Sequence, residues 1–178
     1  MTPRLTEIAS DLGFPEGPVV LPDGSLIVVE IARGCITRIA PDGRKSIVAK
    51  PGGGPNGAAF GPGGRLYVCN SGGFAWREEN GLLIPSGQAE DYSGGRIERV
   101  DIETGGVEVL YTHCGGFPLK GPNDIVFDRH GGFYFTDHGK RRPPFSWGGV
   151  RFTTPDETEV FVAETRTVPG KYERWSLD

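Results

Sequence analysis

The stretch Gly121-Pro-Asn-Asp-Ile-Val-Phe-Asp-Arg-His-Gly-Gly-Phe-Tyr-Phe-Thr-Asp137 decides the fold, because reduced copies of it stand twice upstream. A proline and a polar pair, Asn123 and Asp124, lead into the apolar run Ile125 to Phe127. The chain then turns at Gly131-Gly132 and returns as Phe133 to Phe135. An apolar strand, a glycine turn and a second apolar strand predict a β-hairpin. The polar pair sits at the mouth of the first strand, where chemistry would be placed.

The copies run from Pro15 to Glu30 and from Pro55 to Asn70, and they align with Pro122 to Asp137 without a gap. Pro15, Pro55 and Pro122 fall in one column, and the turn glycines Gly24, Gly64 and Gly131 in another. After each proline stands Glu16, Asn56 or Asn123. At the end of each second strand stands Glu30, Asn70 or Asp137, expected to cap turns. Self-similarity at a spacing of 40 and then 67 residues, with further alternating segments between the copies, predicts propeller blades of four short strands each. The 29 Gly and 15 Pro fall between apolar runs, as many short strands joined by turns require.

Residues 35–40 and 45–50 complete the first blade, and residues 95–101 and 107–112 complete the second. Between the second pair of strands, residues 74–93 read as a loop insertion over the face, carrying Trp76, Glu78, Glu79 and Glu90. Residues 154–164 resemble the turn and second strand of a fourth copy, and residues 171–177 its third strand. Its leading polar position falls near Gly149, where neither carboxylate nor amide stands. The expected fold is therefore all-β: one incomplete propeller domain over residues 1–178, of about three to three and a half blades.

A formal charge of −4 gives no electrostatic reason to expect nucleic acid or an anionic membrane as partner. No stretch is apolar over the length needed to span a bilayer, and the first residues lack the apolar core of a signal peptide, so a cytoplasmic location is expected. Cys35, Cys69 and Cys114 are odd in number and far apart, which points to reduced thiols rather than a disulfide framework or zinc site. Neither a phosphate-binding Gly-Lys-Ser/Thr loop nor a Gly-x-Ser-x-Gly elbow occurs.

Phe14-Pro-Glu-Gly-Pro18, Gly54-Pro-Asn-Gly57, Gly121-Pro-Asn-Asp124 and Gly132-Phe-Tyr-Phe-Thr-Asp137, in that order, resemble the gluconolactonase family that includes regucalcin. The resemblance covers nearly the whole chain and about the first half of a family member. It implies a six-bladed β-propeller around a channel, with one divalent metal, calcium or zinc, at one mouth, and hydrolysis of lactones. It places a metal ligand on Glu16, and on Asn123 and Asp124 a pair lying beside substrate and metal-bound water. The family's fourth- and fifth-blade ligands have no counterpart here, so an impaired or incomplete site is expected.

The residues support a site on their own chemistry. Glu16, Asn56 and Asn123 carry oxygen donors at one register of successive first strands, which a propeller brings toward a common axis. Glu16 and Asn123 are the expected metal ligands, Asn123 and Asn56 the expected substrate contacts. One carboxylate with amide oxygens suits a hard cation, and Asp124 is placed to accept a proton. The plain alternatives are that Asn-Gly and Asn-Asp after proline are ordinary turn residues, and that His113, His130 and His138 are exposed loop histidines. Lys140 to Arg142 reads as a solvated basic run, and Arg151 has no assigned partner. Two functions stay open: a lactone hydrolase, or a non-catalytic propeller fragment that binds a partner. Open propeller edges would also let two chains pair as a homo-oligomer.

Overall fold

A computed structural model describes residues 5–114, 117–139, 149–153 and 161–163. In chain order, β1 (Pro15–Val20), β2 (Leu26–Glu30), β3 (Cys35–Ile39) and β4 (Lys45–Ala49) form the first antiparallel sheet. The second sheet takes β5 (Pro55–Phe60) and β6 (Leu66–Asn70). After a separate hairpin, β7 (Phe74–Glu79) with β8 (Leu82–Gln88), it is completed by β9 (Arg96–Val100) and β10 (Val107–Tyr111). A short pair, β11 (His113–Cys114) and β12 (Phe117–Pro118), leads to the third sheet of β13 (Pro122–Phe127), β14 (Phe133–Asp137), β15 (Gly149–Thr153) and β16 (Phe161–Ala163). Each four-stranded sheet is one blade, and the expected all-β partial propeller is the fold observed.

The repeat explains the local geometry. Gly24, Gly64 and Gly131 have φ of +79°, +67° and +89°, the left-handed region that a side chain would disfavour. Their turns close with Leu21 N–H to Ser25 O at 2.8 Å, Gly61 N–H to Arg65 O at 3.0 Å and Asp128 N–H to Gly132 O at 2.8 Å.

Packing runs from blade to blade through β6, all five of whose residues are buried. Strand alternation sends Leu66 and Val68 toward Ile27, Val29 and Ile36 of the first blade. Tyr67 and Cys69 point the other way, onto Ile125, Phe133 and Phe135 of the third. The Tyr67 ring meets Phe127 edge-on at 4.8 Å. Each such fully buried apolar side chain contributes about 1.5–3 kcal/mol, so β6 is the keel of the molecule. Cys35, Cys69 and Cys114 are all buried and none is joined in a disulfide.

Two expectations need correction. Residues 74–93 are built around a paired hairpin, with a turn at Asn80-Gly81 (φ +54° and +76°) that matches the preferred two-residue connection. Phe161–Ala163 is the outer strand of the third blade, not part of a fourth copy. Gly149 opens β15 opposite Asp137, and Phe152 stands opposite Phe161. A short apolar run fits any unpaired strand edge, and only the pairing partner decides which blade it joins. The remaining residues of the expected fourth copy and the basic run Lys140 to Arg142 lie outside the described residues. Among the described residues no helix is long and apolar enough to cross a membrane.

Candidate functional site

All three blades carry the same irregularity at the start of the first strand. The pairing register slips between Glu16 and Val19 in β1, between Pro55 and Ala58 in β5, and between Pro122 and Ile125 in β13. Such bulges re-aim side chains and recur beside active sites. Here they hold Glu16, Asn56, Asn123 and Asp124.

Directly across from the three prolines stand Glu30, Asn70 and Asp137. Each ties down the loop that enters its own blade. Glu30 Oε2 accepts the Gly13 N–H at 2.6 Å. Asn70 Oδ1 accepts from Gly54 and Gly72 at 2.9 and 3.0 Å. Asp137 accepts from Lys120, Gly121 and Gly139 at 2.8 to 2.9 Å. These columns are turn clamps, as their place at the strand ends implied. Burial pushes the Glu30 carboxyl up, but the Thr37 hydroxyl, the Gly13 amide and the Arg33 guanidinium together hold it below its ordinary value. Burial outweighs hydrogen bonds from Asn70 and Arg96 at Glu98, whose carboxyl lies above its ordinary value.

Neighbouring bulges touch through their glycines. A Cβ on Gly17 (φ +51°) would lie 2.7 Å from Asn56 O, and one on Gly57 would lie 2.5 Å from both Asn123 O and Asp124 Cα. The pairs Glu16-Gly17, Asn56-Gly57 and Asn123-Asp124 thus follow one another from blade to blade, with β5 in the middle. Adjacent blades are brought together at this register, with β5 lying between Glu16 and Asn123.

The individual side chains differ. Glu16 is exposed and its Oε2 accepts a long bond, 3.4 Å, from Gly17 N–H. Asn56 is 8% exposed and Asn123 half-buried; neither side chain makes a hydrogen bond within the described residues. Asp124 is exposed, its Oδ1 accepts the Ile125 N–H at 2.9 Å, and its own N–H donates to Thr136 Oγ1 at 3.2 Å. The buried Cys69 thiol donates to Asp124 O at 3.5 Å; burial first, then the Asp124 and Asp137 charges, push that thiol well above its ordinary value, which makes it a poor nucleophile. His113, His130 and His138 are exposed. Among the described residues no three His, Cys, Asp or Glu side chains are grouped to hold an ion. A cation at the bulges would depend on amide oxygens beside the Glu16 carboxylate, a set that fits calcium better than zinc.

Three features were not anticipated from sequence. Phe14, just before Pro15, has φ +57°, and its ring lies 5.0 Å from Trp76 of the hairpin. Thr136 meets the Asp124 amide. Ser71 is buried with no partner for its Oγ among the described residues, beside Gly54 at the entrance to β5. The Phe14 and Trp76 side chains were visible as apolar residues near the motif; their contact is long-range and left no local signal.

A family model described as the SMP-30/Gluconolactonase/LRE-like region matches residues 14–169. The chain is 29% identical over 167 residues to a gluconolactonase from Zymomonas mobilis, covering 86% of this chain and 38% of that protein. The structure of a gluconolactonase from Xanthomonas campestris superposes with a TM-score of 0.66 at 20% identity, over 88% of this chain and 50% of the other. A PQQ-bound aldose sugar dehydrogenase from Streptomyces coelicolor gives 0.57 at 22% identity, over 85% and 48%. The two structural likenesses establish the fold alone, since the proteins they come from differ in chemistry. The chain spans about half the length of these relatives or less.

Proposed function

The chain belongs to the SMP-30/Gluconolactonase/LRE-like family, and from that premise we propose that it acts on sugar-type lactones as a cation-assisted hydrolase. One observation carries the reading: three successive bulges present Glu16, Asn56 and Asn123 at one end of adjoining strands, with both amide side chains left without hydrogen-bond partners among the described residues. Neither amide is sealed inside the protein, since among the described residues the buried side-chain polar atom without a partner is Ser71 Oγ, so both amides are open to a ligand.

In this reading Glu16 and Asn123 hold a divalent ion, calcium by the chemistry of the donors. The chemistry such an ion supplies when bound is stabilisation of the negative charge that develops on the lactone carbonyl oxygen. The chain's own residues do the rest. The Asn56 and Asn123 amides orient the ring by hydrogen bonds. The Asp124 carboxylate takes the proton from the water as its oxygen bonds to the carbonyl carbon, the acyl C–O bond of the ring breaks, and Asp124 returns that proton to the freed ring oxygen, giving a hydroxy acid.

A second reading, binding without turnover, is favoured by the engagement of Asp124 Oδ1 with Ile125 N–H and by the lack of a cluster of three acidic, His or Cys ligands among the described residues. One experiment separates the two. Hydrolysis of a six-membered sugar lactone is followed by acid release, with calcium and with a chelator, for the wild-type chain and Glu16→Gln. The hydrolase reading requires turnover that the chelator abolishes and that Glu16→Gln loses together with calcium affinity. Turnover absent, or indifferent to chelator, sinks it.

A further inference from the structure

We infer that the β7–β8 hairpin is a positioning device for Glu16, acting through the ring pair of Trp76 and Phe14. The inference rests on the cation reading above, because the group being positioned is the proposed ligand carboxylate.

Phe14 has φ +57°, a conformation that bulky L residues rarely adopt and that persists only where the surroundings impose it. Its main chain is held by two hydrogen bonds, Phe14 N–H to Leu12 O at 3.2 Å and Ile31 N–H to Phe14 O at 3.1 Å. Its ring is held by Trp76 at 5.0 Å with planes tilted by 51°. Trp76 in turn meets Phe74 at 6.1 Å, at the root of the hairpin where Phe74 pairs with Gln88.

Glu16 lies two residues beyond. The segment from Gly13 to Gly17 is pinned at one end by Glu30, which accepts the Gly13 N–H, and at the other by the close approach of Gly17 to β5. Between those pins the Phe14 ring packs against the core shared by the first two blades and against Trp76. The hairpin is inserted in the second blade and the carboxylate belongs to the first, so the ring pair is one of the contacts that join them across the seam. Phe14, Phe74 and Trp76 pack against the core shared by the first two blades, whereas Arg77 to Leu83 beyond them are exposed, so it is the root of the hairpin that bears on the Glu16 segment.

The test uses the full chain with Trp76→Ala and Trp76→Phe, and reads two things. Amide hydrogen exchange at Ile31, whose N–H donates to Phe14 O, is compared with exchange at Asp128, which closes a turn in the third blade. Calcium alone is titrated by calorimetry. Trp76→Ala is expected to speed exchange at Ile31 with Asp128 unchanged, and to weaken calcium about tenfold, the lower end of losses seen when support behind a metal ligand is removed; Trp76→Phe restores both. Exchange that rises equally at both amides, or calcium affinity that Trp76→Ala leaves intact, overturns the inference while the cation reading stands. A wild-type chain that binds no calcium overturns the cation reading and the positioning role with it. Should Trp76→Ala fail to fold, Phe14→Gly carries the same expectations, since it keeps the left-handed backbone accessible while removing the benzyl side chain that meets Trp76.

Discussion

The Asn70 side-chain amide donates to Glu98 Oε2 at 3.0 Å, and both residues are at most 1% exposed. Asn70 also donates to Gly52 O at 2.9 Å while its Oδ1 accepts two backbone N–H groups. Only an amide can give and accept at once in this place. Asn70→Asp would set two carboxylates together in the seam between blades, and we predict a loss of roughly 3 kcal/mol at neutral pH, as for an uncompensated buried charge. The deficit should shrink on acidification, when one of the pair takes up a proton. Chemical denaturation of both chains at pH 7 and near pH 5 checks it.

The third blade sets the opposite demand. Asp137 meets three N–H donors and, among the described residues, no acceptor. Asp137→Asn places an NH2 group against at least one of them, and a cost of about 1–3 kcal/mol follows from the donor left unpaired. A shift in the denaturation midpoint with an unchanged slope is the expected result.

Gly57→Ala puts a methyl group 2.5 Å from the Asp124 Cα. Backbone has to move, because no side chain can give way there, and overpacking of this kind costs about 1–3 kcal/mol. Since the displaced strand carries Asn123 and Asp124, the lactone turnover proposed above should fall by more than the loss of folded protein accounts for. Comparing activity per folded molecule with Gly63→Ala, where a Cβ meets nothing but φ is +69°, separates the site effect from backbone strain.

Acid should destabilise the fold below about pH 4. The Ser25 hydroxyl and amide, with Arg38, hold the Asp23 carboxyl down to about 2 from its ordinary 3.8. Asp101 is likewise held down, by the Glu103 amide first and then by Arg65 and the Thr104 amide. Groups lowered on folding contribute fully above their unfolded values and lose that contribution as pH falls through the folded ones. Glu98, raised by burial, works the other way: the folded chain takes up its proton first, so its contribution grows as pH falls through the raised value. Melting temperatures from pH 7 to 2 should therefore drop on the acid limb, and Asp23→Asn should flatten that limb.

How much was legible followed from how local each feature is. The three hairpins were visible because their proline, turn-glycine and strand-end polar columns are all short-range requirements, and β1, β5 and β13 begin at the expected prolines. The β7–β8 hairpin was hidden because Pro85 and Gly87 interrupt its second strand and blur the alternation, although Asn80-Gly81 marked the turn. The partner of Phe161–Ala163 could not be read, since a three-residue apolar strand carries no register of its own. The site residues were found by column, but the bulges that aim them depend on pairing across the sheet, and the Phe14 wedge on a contact with a different blade.

Asp124 occupies the column that Gly17 and Gly57 fill in the other two blades. Those glycines act as spacers of zero thickness, letting each strand lean on the next. A strand laid beside β13 at the same distance would collide with the Asp124 side chain. A strand packed there would have to stand off by the depth of a carboxyl group, which leaves the Asp124 bulge open where the bulges of the first two blades are closed by their neighbours.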